Sequence, residues 1–206
     1  MMNMLVIHSS ILGNNSKSRL VADQLVGRLA EMDPGMTIRT RDLGASPLPY
    51  VDAGYLGALF TPAGERTAEQ ARVAALADEL IAEIAQADRV VIAAPVYNFN
   101  VPAQLKTYID YIARAGVTFK YGADGKPQGL LTNKKVYIVT ARGGKAVGTA
   151  LDQATSYLST VLNFLGMDDL TFIHAEGLNM GPDGAAAGLA SARDQIDLHV
   201  GEPALA

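Results

Sequence analysis

The segment Arg89-Val90-Val91-Ile92-Ala93-Ala94-Pro95 narrows the fold more than any other, because its unbroken apolar run keeps no side for water. A strand apolar on both faces belongs to a parallel sheet with helices packed against each side. Met4 to Ser9 is a second short apolar run, and Lys135 to Thr140 and Leu170 to Ala175 supply two further strands.

Helical spacing fills the intervals. Leu20, Val21, Leu25, Leu29 and Met32 recur from Ser16 until Asp33-Pro34-Gly35 stops them, and Val73, Leu76, Leu80, Ile81 and Ile84 share a stripe within Thr67 to Ala87. Pro102 opens a helix through Arg114, Tyr157 to Leu165 lies in another, and Ala185 to Val200 closes the chain. Met36 to Arg41 alternates apolar and polar residues and predicts an edge strand. Asp42 to Gly64, rich in proline and glycine and without a strong period, predicts a long surface loop near a site. Strands that alternate with helices predict an α/β fold. About five strands favour a flavodoxin-like, doubly wound parallel sheet of order 2-1-3-4-5, with helices on both faces, over the six-stranded dinucleotide fold.

Composition sets outer limits. A chain of 206 residues, 49% of them hydrophobic, is expected to form one domain over residues 1–206. With no cysteine there is no disulfide, thiol nucleophile or cysteine-ligated cluster, so any redox chemistry must be carried by something bound. A net charge of -4 without a basic run argues against nucleic acid as a partner. The start lacks a basic leader, and no apolar run approaches about 20 residues, so the expectation is a soluble, cytoplasmic protein without a membrane partner. His8, His174 and His199 have no metal-ligand spacing and are read as strand or surface residues, with no metal expected. No Gly-x-Ser-x-Gly elbow supports a hydrolase.

In a sheet of this order, ligands bind beyond the carboxyl ends of the strands where the order reverses. Three loops reach that rim: Ser9 to Ser18, Pro95 to Asn100 and Thr140 to Gly148. The first carries neither Gly-x-Gly-x-x-Gly nor a P-loop. It offers Ser10, Ser16 and Ser18 around Lys17 at a helix start, where hydroxyls, free N–H groups and the helix dipole converge on a phosphate, although serines there also serve as plain caps. In the second, Pro95-Val96-Tyr97-Asn98-Phe99 mixes apolar faces with amide edges, which suits a flat heteroaromatic ring. Core packing for the aromatics and a turn role for Asn98 is the alternative. In the third, Ala141-Arg142-Gly143-Gly144 lets backbone N–H groups approach a ring edge, as plain glycine turns also do.

With these residues the chain resembles the FMN-dependent NAD(P)H azoreductases, also described as quinone reductases, of the flavodoxin-like superfamily. Ser9-Ser10-Ile11-Leu12 with Ser16-Lys17-Ser18, Ala94-Pro95-Val96-Tyr97-Asn98-Phe99-Asn100, Arg114-Ala115-Gly116-Val117-Thr118-Phe119, Arg142-Gly143-Gly144 and Ala175-Glu176-Gly177 match that family in order and spacing. The resemblance implies that Ser10, Ser16, Lys17 and Ser18 hold the FMN phosphate. It assigns Pro95, Val96, Tyr97, Asn98 and Phe99 to the isoalloxazine, together with Ala141, Arg142, Gly143 and Gly144. Lys17 stands where the family often has glutamine, and Ala141 where it often has serine. Phe119, Tyr121 and Phe164 match positions that wall a substrate pocket, with core packing an alternative for Phe164 beside Val161 and Leu165. Phe60, in the long loop, is a further lid candidate.

The activity implied is ping-pong: NADH or NADPH reduces bound FMN, the nicotinamide leaves, and a quinone or aromatic azo compound is reduced in its place. The flavin carries the chemistry, so no side chain is assigned as catalytic. A homodimer with two flavin sites near its interface is also implied. The alternatives are a flavodoxin-type electron carrier that does not oxidise NAD(P)H and a flavin-free α/β interaction module. Flavodoxins carry a threonine-rich phosphate loop that this chain lacks.

Overall fold

The computed structural model describes residues 2–200. Met1 and residues 201–206, which the single-domain expectation includes, lie outside the described residues. In chain order the elements are β1 (Asn3–His8), α1 (Lys17–Met32), β2 (Thr37–Asp42), α2 (Ala53–Phe60), α3 (Ala68–Gln86), β3 (Arg89–Pro95), α4 (Ala103–Ile112), β4 (Phe119–Tyr121), β5 (Pro127–Gly129), β6 (Lys135–Ala141), α5 (Gln153–Phe164), β7 (Asp169–Ala175) and α6 (Gly181–Val200). Five strands form one parallel sheet in the order β2-β1-β3-β6-β7. Counting only these strands, that is the order 2-1-3-4-5 expected from the alternation of strands and helices.

Side-chain alternation along β1 divides the core. Leu5 and Ile7 join a cluster with Leu80, Ile84, Leu105, Tyr108 and Leu158 from α3, α4 and α5. Met4 and Val6 join another with Val21, Leu25, Ala192 and Ile196 from α1 and α6. Each fully buried aliphatic side chain contributes about 1.5–3 kcal/mol relative to exposure, which is why the apolar runs are legible as central strands.

Caps set where the helices begin. Ser16 accepts the Arg19 N–H at 3.3 Å to start α1, and Thr67 and Gln70 exchange bonds of 3.2 and 2.9 Å in a capping box at α3. Asp52 accepts the Tyr55 N–H at 2.8 Å and starts α2, an element inside the segment expected to be a loop. Gly54 and Gly57 lower its intrinsic helicity, so packing decides: Tyr55 and Ala58 are buried, and the Tyr55 hydroxyl donates to the Tyr111 carbonyl at 3.2 Å. The hairpin of β4 and β5 is likewise absent from the sequence expectation, because its strands are too short to show a period. α5 begins at Gln153, ahead of the apolar stripe, because Asp152 caps it.

β2 pairs only with β1, as an edge strand should, but it does not bury alternate residues. Its Arg39 and Arg41 instead reach the Glu83 carboxylate of α3, which is 1% exposed. Charged side chains on an edge discourage pairing with another chain.

Candidate functional site

Strand register brings the three rim loops level. His8 pairs with Ala93 and Pro95 with Ala141, so Ser9 and Ser10 leave the sheet beside Ala94 and Pro95, and Arg142 leaves directly after. Ser10, Ser16 and Ser18 are buried, with the Ser16 and Ser18 hydroxyls 3.0 Å apart and the Ser10 hydroxyl 3.0 Å from the Tyr97 hydroxyl. The N–H groups of Lys17 and Ser18 bond to nothing among the described residues. Three buried hydroxyls beside two free N–H groups at a 16-residue helix start form a cradle suited to a phosphate dianion. Ser16 is thus both the cap expected of it and a wall of that cradle. The Lys17 side chain is exposed beside it.

The second loop is held in a tight turn. The Val96 N–H donates to the Ala141 carbonyl at 2.9 Å, and Tyr97 and Asn100 exchange backbone bonds of 2.9 and 3.1 Å. Between them Asn98 and Phe99 have φ of 49° and 73°. Asparagine tolerates this left-handed region, but phenylalanine pays for it. Phe99 is also 55% exposed, so no core contact explains the strain. Strain of this kind concentrates at ligand clamps.

In the third loop the carbonyls face inward. Those of Arg142, Gly143 and Gly144 accept from Leu178, Asn179 and Gly177 at 3.2, 3.0 and 2.9 Å. The N–H groups of Gly143, Gly144 and Lys145 have no partner among the described residues. Val96, Asn98, Phe99, Arg142, Gly143 and Gly144 help line a cavity of about 370 Å³. Ala141 and Pro95 contribute backbone to the adjoining sheet.

Arg142 lines the same cavity, and its guanidinium is engaged by protein carboxylates. Its side chain is 6% exposed and its Nη2 donates to the equally buried Asp152 Oδ1 at 2.7 Å. Burial would raise the Asp152 carboxyl, but the Arg142 guanidinium and the Thr155 N–H hold it below the usual carboxylate range. Glu176 stands 3.8 Å from the Arg142 Nε. Asp152 and Glu176 were not selected as site residues, although the Asp that precedes a helix is a legible cap.

The aromatic candidates divide. Phe119 and Phe164 stack obliquely with centroids 4.5 Å apart, and Tyr121 meets Phe119 edge-on at 5.9 Å. Phe119 and Phe164 also pack on the core. Phe60 ends α2, is 83% exposed and makes no ring contact with the other three. None of the four lines the 370 Å³ cavity. A larger cavity, about 710 Å³, lies between α2 and α3 against Tyr50, Tyr55 and Tyr111. Its lining includes no residue of the three rim loops, so strand order rather than size selects the rim.

A family model for the flavodoxin-like fold matches residues 2–200. The chain belongs to this flavodoxin-like family. Within it, the chain is 58% identical over 196 residues to a Bordetella parapertussis protein named FMN-dependent NADH:quinone oxidoreductase, covering 95% of this chain and 94% of that one. A Paraburkholderia phymatum protein of the same name is 54% identical, covering 95% and 98%. Among solved structures, an azoreductase from Bacillus anthracis strain Sterne superposes with a TM-score of 0.84 at 31% identity, covering 98% of this chain and 99% of its own. An FMN-dependent NADH-azoreductase from the Ames Ancestor strain, solved in complex with FMN, gives 0.87 at 26% identity, covering 97% and 98%. No helix of this flavodoxin-like protein, among the described residues, is long and apolar enough to cross a membrane.

Proposed function

We propose that this protein is an FMN-dependent NADH:quinone oxidoreductase with azoreductase activity, built as one doubly wound domain over residues 1–206. The observation that carries the reading is the meeting of three unsaturated features on one rim. They are the buried hydroxyls of Ser10, Ser16 and Ser18 beside free N–H groups, the strained Asn98-Phe99 turn, and the unpaired N–H groups of Gly143, Gly144 and Lys145. A phosphate, a flat ring and an electron-rich ring edge answer these in turn, and FMN carries all three. The names of relatives at 54–58% identity support the same cofactor and donor.

When bound, FMN supplies the two-electron chemistry between NADH or NADPH and a quinone or azo acceptor. The chain's own residues bind and align. Ser10, Ser16, Lys17 and Ser18 anchor the phosphate, and Pro95, Val96, Tyr97, Asn98 and Phe99 hold one side of the ring. The N–H groups of Gly143 and Gly144, behind Ala141 and Arg142, favour negative charge at the ring edge. Alignment of donor and acceptor in one slot supplies rate without a side-chain acid, and one slot used in turn makes the kinetics ping-pong.

Phe60, Phe119, Tyr121 and Phe164 stand outside the cavity of their own chain, which supports a homodimer in which they wall the pocket of the neighbouring subunit. We place the enzyme in the cytoplasm. The deciding experiment is anaerobic titration of FMN-loaded protein. Bleaching by NADH and recovery with benzoquinone, with parallel double-reciprocal lines at steady state, support the reading. A flavin that NADH does not bleach would leave an electron carrier, and intersecting lines would replace ping-pong with a ternary complex. Sedimentation at only the 21.7 kDa monomer mass would remove the dimer.

A further inference from the structure

The loop from Arg142 to Asp152 carries Gly143, Gly144 and Gly148 and contains no helix or strand, so its shape must come from outside pins. Two carboxylates provide them. Glu176 Oε1, at the end of β7, accepts the N–H groups of Ala146 and Val147 at 2.7 and 2.9 Å. Asp152 Oδ1, at the start of α5, accepts Arg142 Nη2 at 2.7 Å and the Thr155 N–H at 3.3 Å. The Arg142 side chain therefore ties the first residue of the loop to its last, while its Nε sits 3.8 Å from Glu176 and makes no hydrogen bond.

A buried ion pair is a poor source of stability, since desolvation offsets much of the Coulomb attraction and apolar replacements often do as well. Its value here lies in direction. The carbonyls of residues 142–144 are drawn to residues 177–179 and the middle of the loop is held by Glu176, which leaves Gly143 and Gly144 lining the cavity with their N–H groups unpaired.

We propose that Arg142, Asp152 and Glu176 form a positioning device for the glycine turn, and that Arg142 acts on the bound ligand through Gly143 and Gly144 rather than by contact of its guanidinium. The proposal rests on the flavin reading above. It predicts that partners behind the turn matter as much as Arg142 itself.

The test measures FMN affinity by fluorescence quenching, melting temperature, and amide exchange at Ala146 and Val147 in apoprotein. The variants are Arg142→Met, Asp152→Asn and the apolar pair Arg142→Met/Asp152→Leu. Each single variant is expected to raise the FMN Kd about tenfold, as loss of an orienting partner behind a ligating group does at metal centres. The apolar pair should recover much of the melting temperature without recovering affinity, and Ala146 and Val147 should exchange faster in all three. If the pair restores affinity together with melting temperature, the cluster is only structural and the proposal falls. If Asp152→Asn binds FMN as the wild type does while Arg142→Met does not, Arg142 contacts the flavin and the proposal falls. Should the wild type bind no FMN, the flavin reading fails, and unchanged exchange at Ala146 and Val147 would separately overturn the positioning device.

Discussion

The backbone of Gly44 lies so close to Ser10 that a Cβ at residue 44 would sit 2.1 Å from the Ser10 carbonyl oxygen. The approach is set by the Leu43 N–H, which donates to the His8 carbonyl at 2.7 Å, and by Asp42 Oδ1, which accepts the Gly44 and Ala45 N–H groups at 3.0 Å each. The turn after β2 thus forms the back wall of the phosphate loop. Gly44→Ala must separate the turn from the Ser10 backbone, at an overpacking cost of about 1–3 kcal/mol. We expect a melting temperature lower by several degrees and an FMN Kd at least about tenfold higher, the affinity change corresponding to about 1.4 kcal/mol. Unchanged affinity by fluorescence titration would show that Ser10 does not hold the phosphate.

Phe99 offers the opposite signature. Its φ of 73° costs about 1–2 kcal/mol for a residue with a Cβ, and its exposed ring recovers little of that by burial. Phe99→Gly removes the strain but adds about 0.5–1 kcal/mol of unfolded-state entropy. Thermal melting of the apoprotein should therefore stay level or rise slightly, while FMN affinity falls. A clear loss of stability would mean that Phe99 packs structurally and is not held in strain for a ligand.

Glu83 is a structural counterpart far from the carboxyl-end rim. Its carboxylate is buried between Arg41 and Arg39, with the Arg39 Nη2 at 2.6 Å. Glu83→Ala removes the buried partner of both arginines, but Arg41 keeps Glu79 and Arg39 is more than half exposed, so the loss is about 1–3 kcal/mol. Chemical denaturation should show that loss, and the folded fraction should bind FMN with wild-type affinity. A loss of affinity would show that the pair also holds the turn at Gly44 against Ser10.

Acidification should destabilise the protein through two histidines. Burial, then the Arg19 charge, pulls His8 below its ordinary value of 6.5, against Asp23 and Asp42. Burial likewise lowers His174, with Arg142 adding to it and Asp152 and Glu176 opposing. Each ring is neutral in the folded state where the unfolded chain already binds a proton, so stability is full above about pH 6.5 and falls as the pH drops through the folded values. Asp42 and Asp152, held below the ordinary 3.8, lose their contribution only in more acid solution. Urea midpoints between about pH 7.5 and 5 should decline, and His174→Gln should flatten part of the decline. A flat wild-type profile would contradict the assignment of the buried His8 ring and the half-buried His174 ring as neutral.

The residues of the sheet and of its rim were legible because their signals are local or periodic. Apolar runs at residues 90–94 and 135–140 mark strands covered on both faces, and the strand order then dictates which loops meet. α2 was not legible: its two glycines argue against a helix, and only the contacts of Tyr55 and Ala58 with the rest of the core make one. The hairpin of β4 and β5 escaped for lack of length.

Arg142 marks the same boundary within the site. Its place in the glycine turn after β6 follows from the sequence alone, because the turn's position depends on a strand that hydrophobic burial defines. Whether its guanidinium faces a ligand or the protein depends on Asp152 and Glu176, which reach it from α5 and β7, and on desolvation that no linear spacing encodes. Gly44 against Ser10 is the same case in steric form: the loop that binds could be named from its residues, but the contact that shapes it exists only once β2 has paired with β1.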